Sequence, residues 1–103
     1  MRRAARVDGN HPEVVAALRA IGASVADTSR VGSGFPDLVV GFRGRNWLVE
    51  VKNGRKMPSQ RRLTEDQAAF VAGWRGHWIK VESAEEAVST ISRQSLYVAD
   101  VTA

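Results

Sequence analysis

The chain has 103 residues, 15 of them Lys or Arg against 11 Asp or Glu, giving a net charge of +4, and 44% are apolar. That length supports one modest core and no second domain, and the lack of cysteine excludes disulfides. No apolar run nears the ~20 residues of a membrane span and no apolar leader opens the chain, so a soluble cytoplasmic protein with a polyanionic partner is expected, be it nucleic acid or an acidic protein surface.

Met1 to Val7 carries Arg2, Arg3 and Arg6 with no acid and reads as a mobile basic arm, about residues 1–6, ahead of a core of about 7–92. Asn10 is placed as an N-cap, with a helix starting at His11 or Pro12, running to about Ile21 and stopping at Gly22. Val14, Val15, Leu18 and Ile21 form its apolar stripe. Glu13 falls in the first turn, where a carboxylate complements the helix dipole. His11 is expected on the surface. Ala23 to Asp27 reads as a short strand, and Thr28 to Gly34 as a loop. Two glycines around Ser33 let its backbone approach a ligand and present amides to phosphate, or simply make it flexible. The loop feeds into Asp37, which puts Arg30 and Ser33 at the rim of whatever site Asp37 serves.

Phe35 to Phe42 and Trp47 to Lys52 are two β-branched, apolar runs separated by Arg43-Gly44-Arg45-Asn46, the pattern of a hairpin. With Gly44 and Arg45 as the central residues of a type II′ turn, Phe42 pairs with Trp47, Val40 with Val49 and Leu38 with Val51. The opposite face then carries Gly41 with Leu48, Val39 with Glu50 and Asp37 with Lys52, so two acids and one amine converge. Carboxylates are hard ligands suited to Mg²⁺ or Mn²⁺, and Mg²⁺ takes one or two of them, leaving positions for water and a phosphate. The Val51 carbonyl lies between Glu50 and Lys52 as a further ligand, and Lys52 is placed to orient or deprotonate an attacking water. The alternative is a solvated cross-strand ion-pair cluster. Val39, Gly41 and Leu48 make the face too apolar for that.

Asn53 to Arg62 contains Arg55, Lys56, Arg61 and Arg62 and no acid. Beside a metal site such a loop holds a DNA backbone through phosphate contacts. Thr64 and Gln67 fit a capping box opening a helix from about Glu65 to Gly73, with Gln67, Phe70, Val71 and Trp74 on one face. Phe70 and Trp74 are read as core. His77 to Glu82 forms another strand, in which His77 has no visible partner. Ser83 and Glu86 cap a helix to about Ser92, with a stripe of Ala84, Ala87, Val88 and Ile91. From Arg93 to Ala103 the core pattern stops: Leu96, Val98 and Asp100 alternate with Tyr97, Ala99 and Val101, which suggests a tail pairing with a sheet edge, of this or of another subunit, with disorder as the alternative.

At Pro36-Asp37 and Glu50-Val51-Lys52 the chain resembles the PD-(D/E)XK nucleases, nearest to the small VRR-NUC (virus-type replication-repair) group, many of them phage-borne, and more distantly to archaeal Holliday-junction resolvases. The likeness extends to Gly32-Ser33-Gly34-Phe35-Pro36-Asp37 as the glycine-rich entry to the aspartate strand, and to Leu63-Thr64-Glu65-Asp66-Gln67 with Trp74 as the following helix. The resemblance implies a restriction-endonuclease-like α/β domain of order αβββαβα, a small mixed sheet flanked by helices. It also implies Mg²⁺- or Mn²⁺-dependent hydrolysis of DNA, with metal ligands Asp37, Glu50, Val51 and Glu13 and catalytic Lys52. Gln67 would stand near the substrate or metal-bound water, and Ser33 would assist. The expected substrate is junction, flap or branched DNA, cut by a homodimer since one site cuts one strand at a time. A non-catalytic DNA-binding module keeping the nuclease fold and an enzyme acting on RNA are the competing expectations.

Overall fold

In the computed structural model the backbone is described over residues 8–102 and side chains over residues 8–95. The expected basic arm therefore lies outside the described residues. In chain order the elements are α1 (His11–Ala20), β1 (Ser24–Asp27), β2 (Leu38–Phe42), β3 (Arg45–Val51), α2 (Glu65–Gly73), β4 (Trp78–Val81) and α3 (Ala84–Thr102), with a 3-10 turn at Pro58–Gln60 before α2. This is a small mixed α/β domain. Its four-stranded sheet runs β1-β2-β3-β4, antiparallel except for the β3–β4 pair. Parallel neighbours need a crossover, and the 3-10 turn and α2 supply it.

One face of the sheet builds the core. Leu38, Val40, Trp47, Val49, Val51 and Val81 meet Val14 and Leu18 of α1 and Ala87 and Ile91 of α3. Each buried aliphatic contributes about 1.5–3 kcal/mol by leaving water. Trp47 is wholly buried, and its indole N–H donates to Gln94 Oε1 on α3, which satisfies the ring's polar edge.

The hairpin register differs from the expected one by two residues. Arg43 (φ 52°) and Gly44 (φ 79°) both adopt positive φ, the signature of a type I′ turn with these two at its centre. Leu38 consequently pairs with Val49, Val40 with Trp47 and Phe42 with Arg45. A shift of two preserves which face each side chain takes but changes who stands opposite whom. One step past Leu38, Asp37 comes level with Glu50 instead of Lys52.

Two ends also depart from expectation. Arg93 to Thr102 does not form a strand-like tail but continues α3, because no Gly or Pro after Ser83 interrupts the helix. The sheet-edge argument for a second subunit falls with it. At the other end, Asn10 sits at the N-cap position of α1 without a side-chain cap bond. Its Nδ2 donates instead to the carbonyls of Lys52 (3.0 Å) and Glu82 (3.2 Å), clipping the start of α1 to the C-terminal ends of the two parallel strands.

The Thr28–Phe35 loop is strapped to the start of β2. Thr28 N donates to the Asp37 carbonyl at 2.8 Å and Thr28 Oγ1 to the Pro36 carbonyl at 2.8 Å. Gly34 (φ +83°) lies so close to α2 that a Cβ there would collide with the Asp66 carbonyl group. The close approach expected of this glycine is made to protein backbone. Gly34→Ala is expected to cost about 3 kcal/mol or more, from positive φ and from a backbone clash that no rotamer relieves, read as a lower urea midpoint.

Candidate active site

The face of the sheet away from the core carries Asp37, Glu50 and Lys52, and α2 crosses it. Glu50 is 2% exposed and Lys52 is 7% exposed. Asp37 Oδ2 accepts from the Val51 amide at 2.9 Å, which ties the loop-to-strand junction to β3. Since Lys52 N points to β4, donating to the Val81 carbonyl, alternation turns the Val51 amide and carbonyl toward β2 and Asp37. The Val51 carbonyl therefore points to the Asp37 side of β3.

Gln67 is the hub of the site. Its Oε1 accepts from Lys52 Nζ (2.8 Å) and from the Thr64 amide (2.9 Å), while its Nε2 donates to Glu50 Oε2 (2.9 Å). Its backbone amide donates to Thr64 Oγ1 at 3.2 Å, completing the expected capping box. One side chain thus closes the helix start and orders both buried charged residues. Lys52 forms no ion pair among the described residues. Gln67→Ala is expected to cost about 1–2 kcal/mol in stability through the lost cap and the orphaned lysine, checked by urea titration.

Facing carboxyls set the electrostatics. Burial, then the Asp37 charge, then hydrogen bonding with Asp37 push the Glu50 carboxyl up from 4.5 to about 9, Asp8 adds to this, and Lys52 opposes it. Buried Glu50 Oε1 meets no donor among the described residues. A carboxylate pair this close satisfies it in one of two ways, with a shared proton or with a cation. Among the described residues no three His, Cys, Asp or Glu side chains cluster as a metal cage. The donor set is two carboxylates and a backbone carbonyl, which suits an ion that keeps most of its waters, as Mg²⁺ does. The residues fit such an ion.

The other expected participants are placed as follows. Glu13 is exposed and lines a separate hollow with Arg55, Glu82, Glu85 and Glu86, and it is not among the charges acting on Glu50. The second acid that Glu50 feels is Asp8, which pairs with Lys56 Nζ at 2.8 Å. Asp8 follows directly on the arginine-rich arm, and its only signal in the sequence is being the first acid there. Of the basic loop, Lys56 is thus engaged, and Arg61 pairs with Glu82 at 2.9 Å, holding the Glu82 carboxyl below its usual range. Arg55 and Arg62 are exposed and form no ion pair among the described residues. Arg30 and Ser33 are exposed on the strapped loop.

The chain matches no family model, no curated protein and no solved structure. Its chemistry rests on the geometry of its own residues.

Both histidines depart from expectation. His11 is buried, its Nε2 3.3 Å from Asp27 Oδ2, while Asp27 Oδ1 accepts from Ser29 N and Oγ, which hold that carboxyl below its usual range. His77 has a partner, Arg45 Nη1 at 3.2 Å. Phe70 is half-buried and bridges Phe35 and Trp74, but Trp74 is 43% exposed and is not a core residue.

Proposed function

We propose that the chain is a divalent-metal-dependent nuclease acting on DNA, of the PD-(D/E)XK type and nearest the VRR-NUC group that its Asp37 and Glu50-Val51-Lys52 spacing resembles. The carrying observation is the pair of carboxyls set level on adjacent strands, one of them buried with an unmet acceptor, and an amine beside them. The mixed sheet and the αβββαβα order support a restriction-endonuclease-like arrangement. Asp37, Glu50 and the Val51 carbonyl would hold Mg²⁺ or Mn²⁺. When bound, that ion polarises the scissile phosphate and lowers the pKa of water.

The chain's own groups do the remainder. Lys52 Nζ has three protons, one of them given to Gln67 Oε1, which leaves two to orient the attacking water and balance charge on the phosphate. Gln67 fixes the Glu50 carboxyl through Oε2 and leaves Oε1 without a donor among the described residues. Because these groups are held by neighbours, positioning costs little at the moment of reaction. Arg55 and Arg62 would contact backbone phosphates, with Arg30 and Ser33 on the loop before Asp37. A junction or duplex substrate requires two cuts, which calls for two copies of the chain.

A cleavage panel of junction, flap, duplex and single-stranded DNA in Mg²⁺, Mn²⁺ and EDTA tests the proposal. Cleavage should need the metal, and binding should survive EDTA in part. Calorimetry that detects no Mg²⁺ or Mn²⁺ uptake would instead indicate a DNA-binding module without catalysis.

A further inference from the structure

At the hairpin end of the sheet, remote from the carboxyl pair, lies a hollow of about 640 Å³ lined by Arg43 to Leu48, Trp74, Gly76, His77 and Ser95. No acid is among these described residues. Three of its features have no role in the fold or in the site above. Trp74 stacks on Phe70 (centroids 5.5 Å, 20° between planes), Phe70 meets Phe35 edge-on at 5.2 Å, and the indole that ends this aromatic row remains 43% exposed. The Trp74 ring is anchored by its own N–H, which donates to the His77 carbonyl at 3.3 Å, and Gly76 lies so close that a Cβ there would be 3.0 Å from Nε1. Ser95, 3% exposed, keeps a buried hydroxyl without a partner among the described residues.

The charges are also set in place. Arg45 Nη1 lies 3.2 Å from His77 Nε2, and since a guanidinium only donates, His77 accepts there and holds the arginine beside the hollow. Arg43 is pinned over the Phe42 ring at 5.3 Å by the type I′ turn. A rigid open indole, two oriented guanidinium groups, an unmet hydroxyl and a lining without carboxylates complement a planar base carrying a phosphate.

We propose that this hollow is a nucleotide subsite: one base of a single-stranded DNA segment stacks on Trp74, and its flanking phosphates meet Arg43 and Arg45. Arg45 and Glu50 are five residues apart on β3, about 16 Å at ~3.3 Å per residue. Their odd separation puts the two side chains on opposite faces of β3, so a strand reaching both passes around the hairpin end of the sheet. The subsite deepens the nuclease reading by giving the cut strand a second anchor, and it rests on that reading only for the identity of the strand.

The test is anisotropy of a short labelled deoxyoligonucleotide in EDTA, so that cleavage plays no part. Trp74→Leu should weaken binding about tenfold or more, and Trp74→Tyr should restore most of it. Arg43→Asn, which tolerates the positive φ, combined with Arg45→Gln should reduce the slope of log affinity against log salt by roughly 1.4, at ~0.7 for each phosphate no longer neutralised. Circular dichroism and urea melts establish that each variant is folded. Unchanged binding by Trp74→Leu, or displacement of the oligonucleotide by inorganic phosphate or polyglutamate as readily as by a mononucleotide, overturns the subsite. Absence of metal-dependent cleavage with these binding effects intact would sink the nuclease reading and spare the subsite.

Discussion

Asp37→Asn is expected to lower metal-dependent cleavage on the order of 10³-fold while leaving the folded protein at least as stable as wild type at pH 8. The first half follows from the proposal that Asp37 is one of two charged metal ligands, since no cluster of three His, Cys, Asp or Glu among the described residues could compensate for its loss. The second half follows from the register. Asp37 stands level with buried Glu50 and its charge raises the Glu50 carboxyl, so an amide at residue 37 lowers the cost of ionising Glu50 while keeping an acceptor for the Val51 amide. Activity and stability should move in opposite directions, as at a site strained for function. Wild-type cleavage rates in purified Asp37→Asn would refute the assignment, and a large fall in urea midpoint would show that the carboxylate is structural instead.

The stability of the metal-free protein should fall as pH rises from about 5 to about 9. Glu50 goes from 4.5 to about 9 on folding, so between those values the native state holds a proton that the unfolded chain has released. This contribution is fully present below 4.5 and lost as pH passes through about 9, with a total on the order of a few kcal/mol after local relaxation. Glu50→Gln, which cannot ionise, should flatten the profile and gain stability over wild type at alkaline pH. Saturating Mg²⁺ should flatten it too, since ligation requires the deprotonated carboxyl and displaces its proton. Urea titrations at pH 5, 7 and 9 decide the matter: a wild-type profile as flat as that of Glu50→Gln would mean that Glu50 is already ionised.

The sequence shows which residues share a face of the hairpin, because that depends only on alternation. It does not show the partner across the strand, because this depends on which two residues of Arg43-Gly44-Arg45-Asn46 make the turn, and an arginine at positive φ is not what propensity favours. The difference matters: Asp37 opposite Lys52 is an ion pair, Asp37 opposite Glu50 a strained acid pair. The capping box at Thr64 and Gln67 is legible from spacing alone. That the same Gln67 also reaches Lys52 and Glu50 can be argued from its helix face, whereas Asp8 can be placed near the pair only by the folded path of the chain. The second half of α3 is obscured by a short alternating pattern that resembles a strand, although nothing in it breaks a helix.

Because Gln67 serves both the first turn of α2 and the two buried charges, those two pieces of order form a single equilibrium. No residue of α2 is fully buried, so this helix has little packing of its own to resist local opening. When its first turn frays, Lys52 and Glu50 lose their clamp in the same event, and whatever occupies the acid pair protects the helix amides in return. Hydrogen exchange at Gln67 and Ala68 is therefore a direct gauge of how often Lys52 and Glu50 are held in place together.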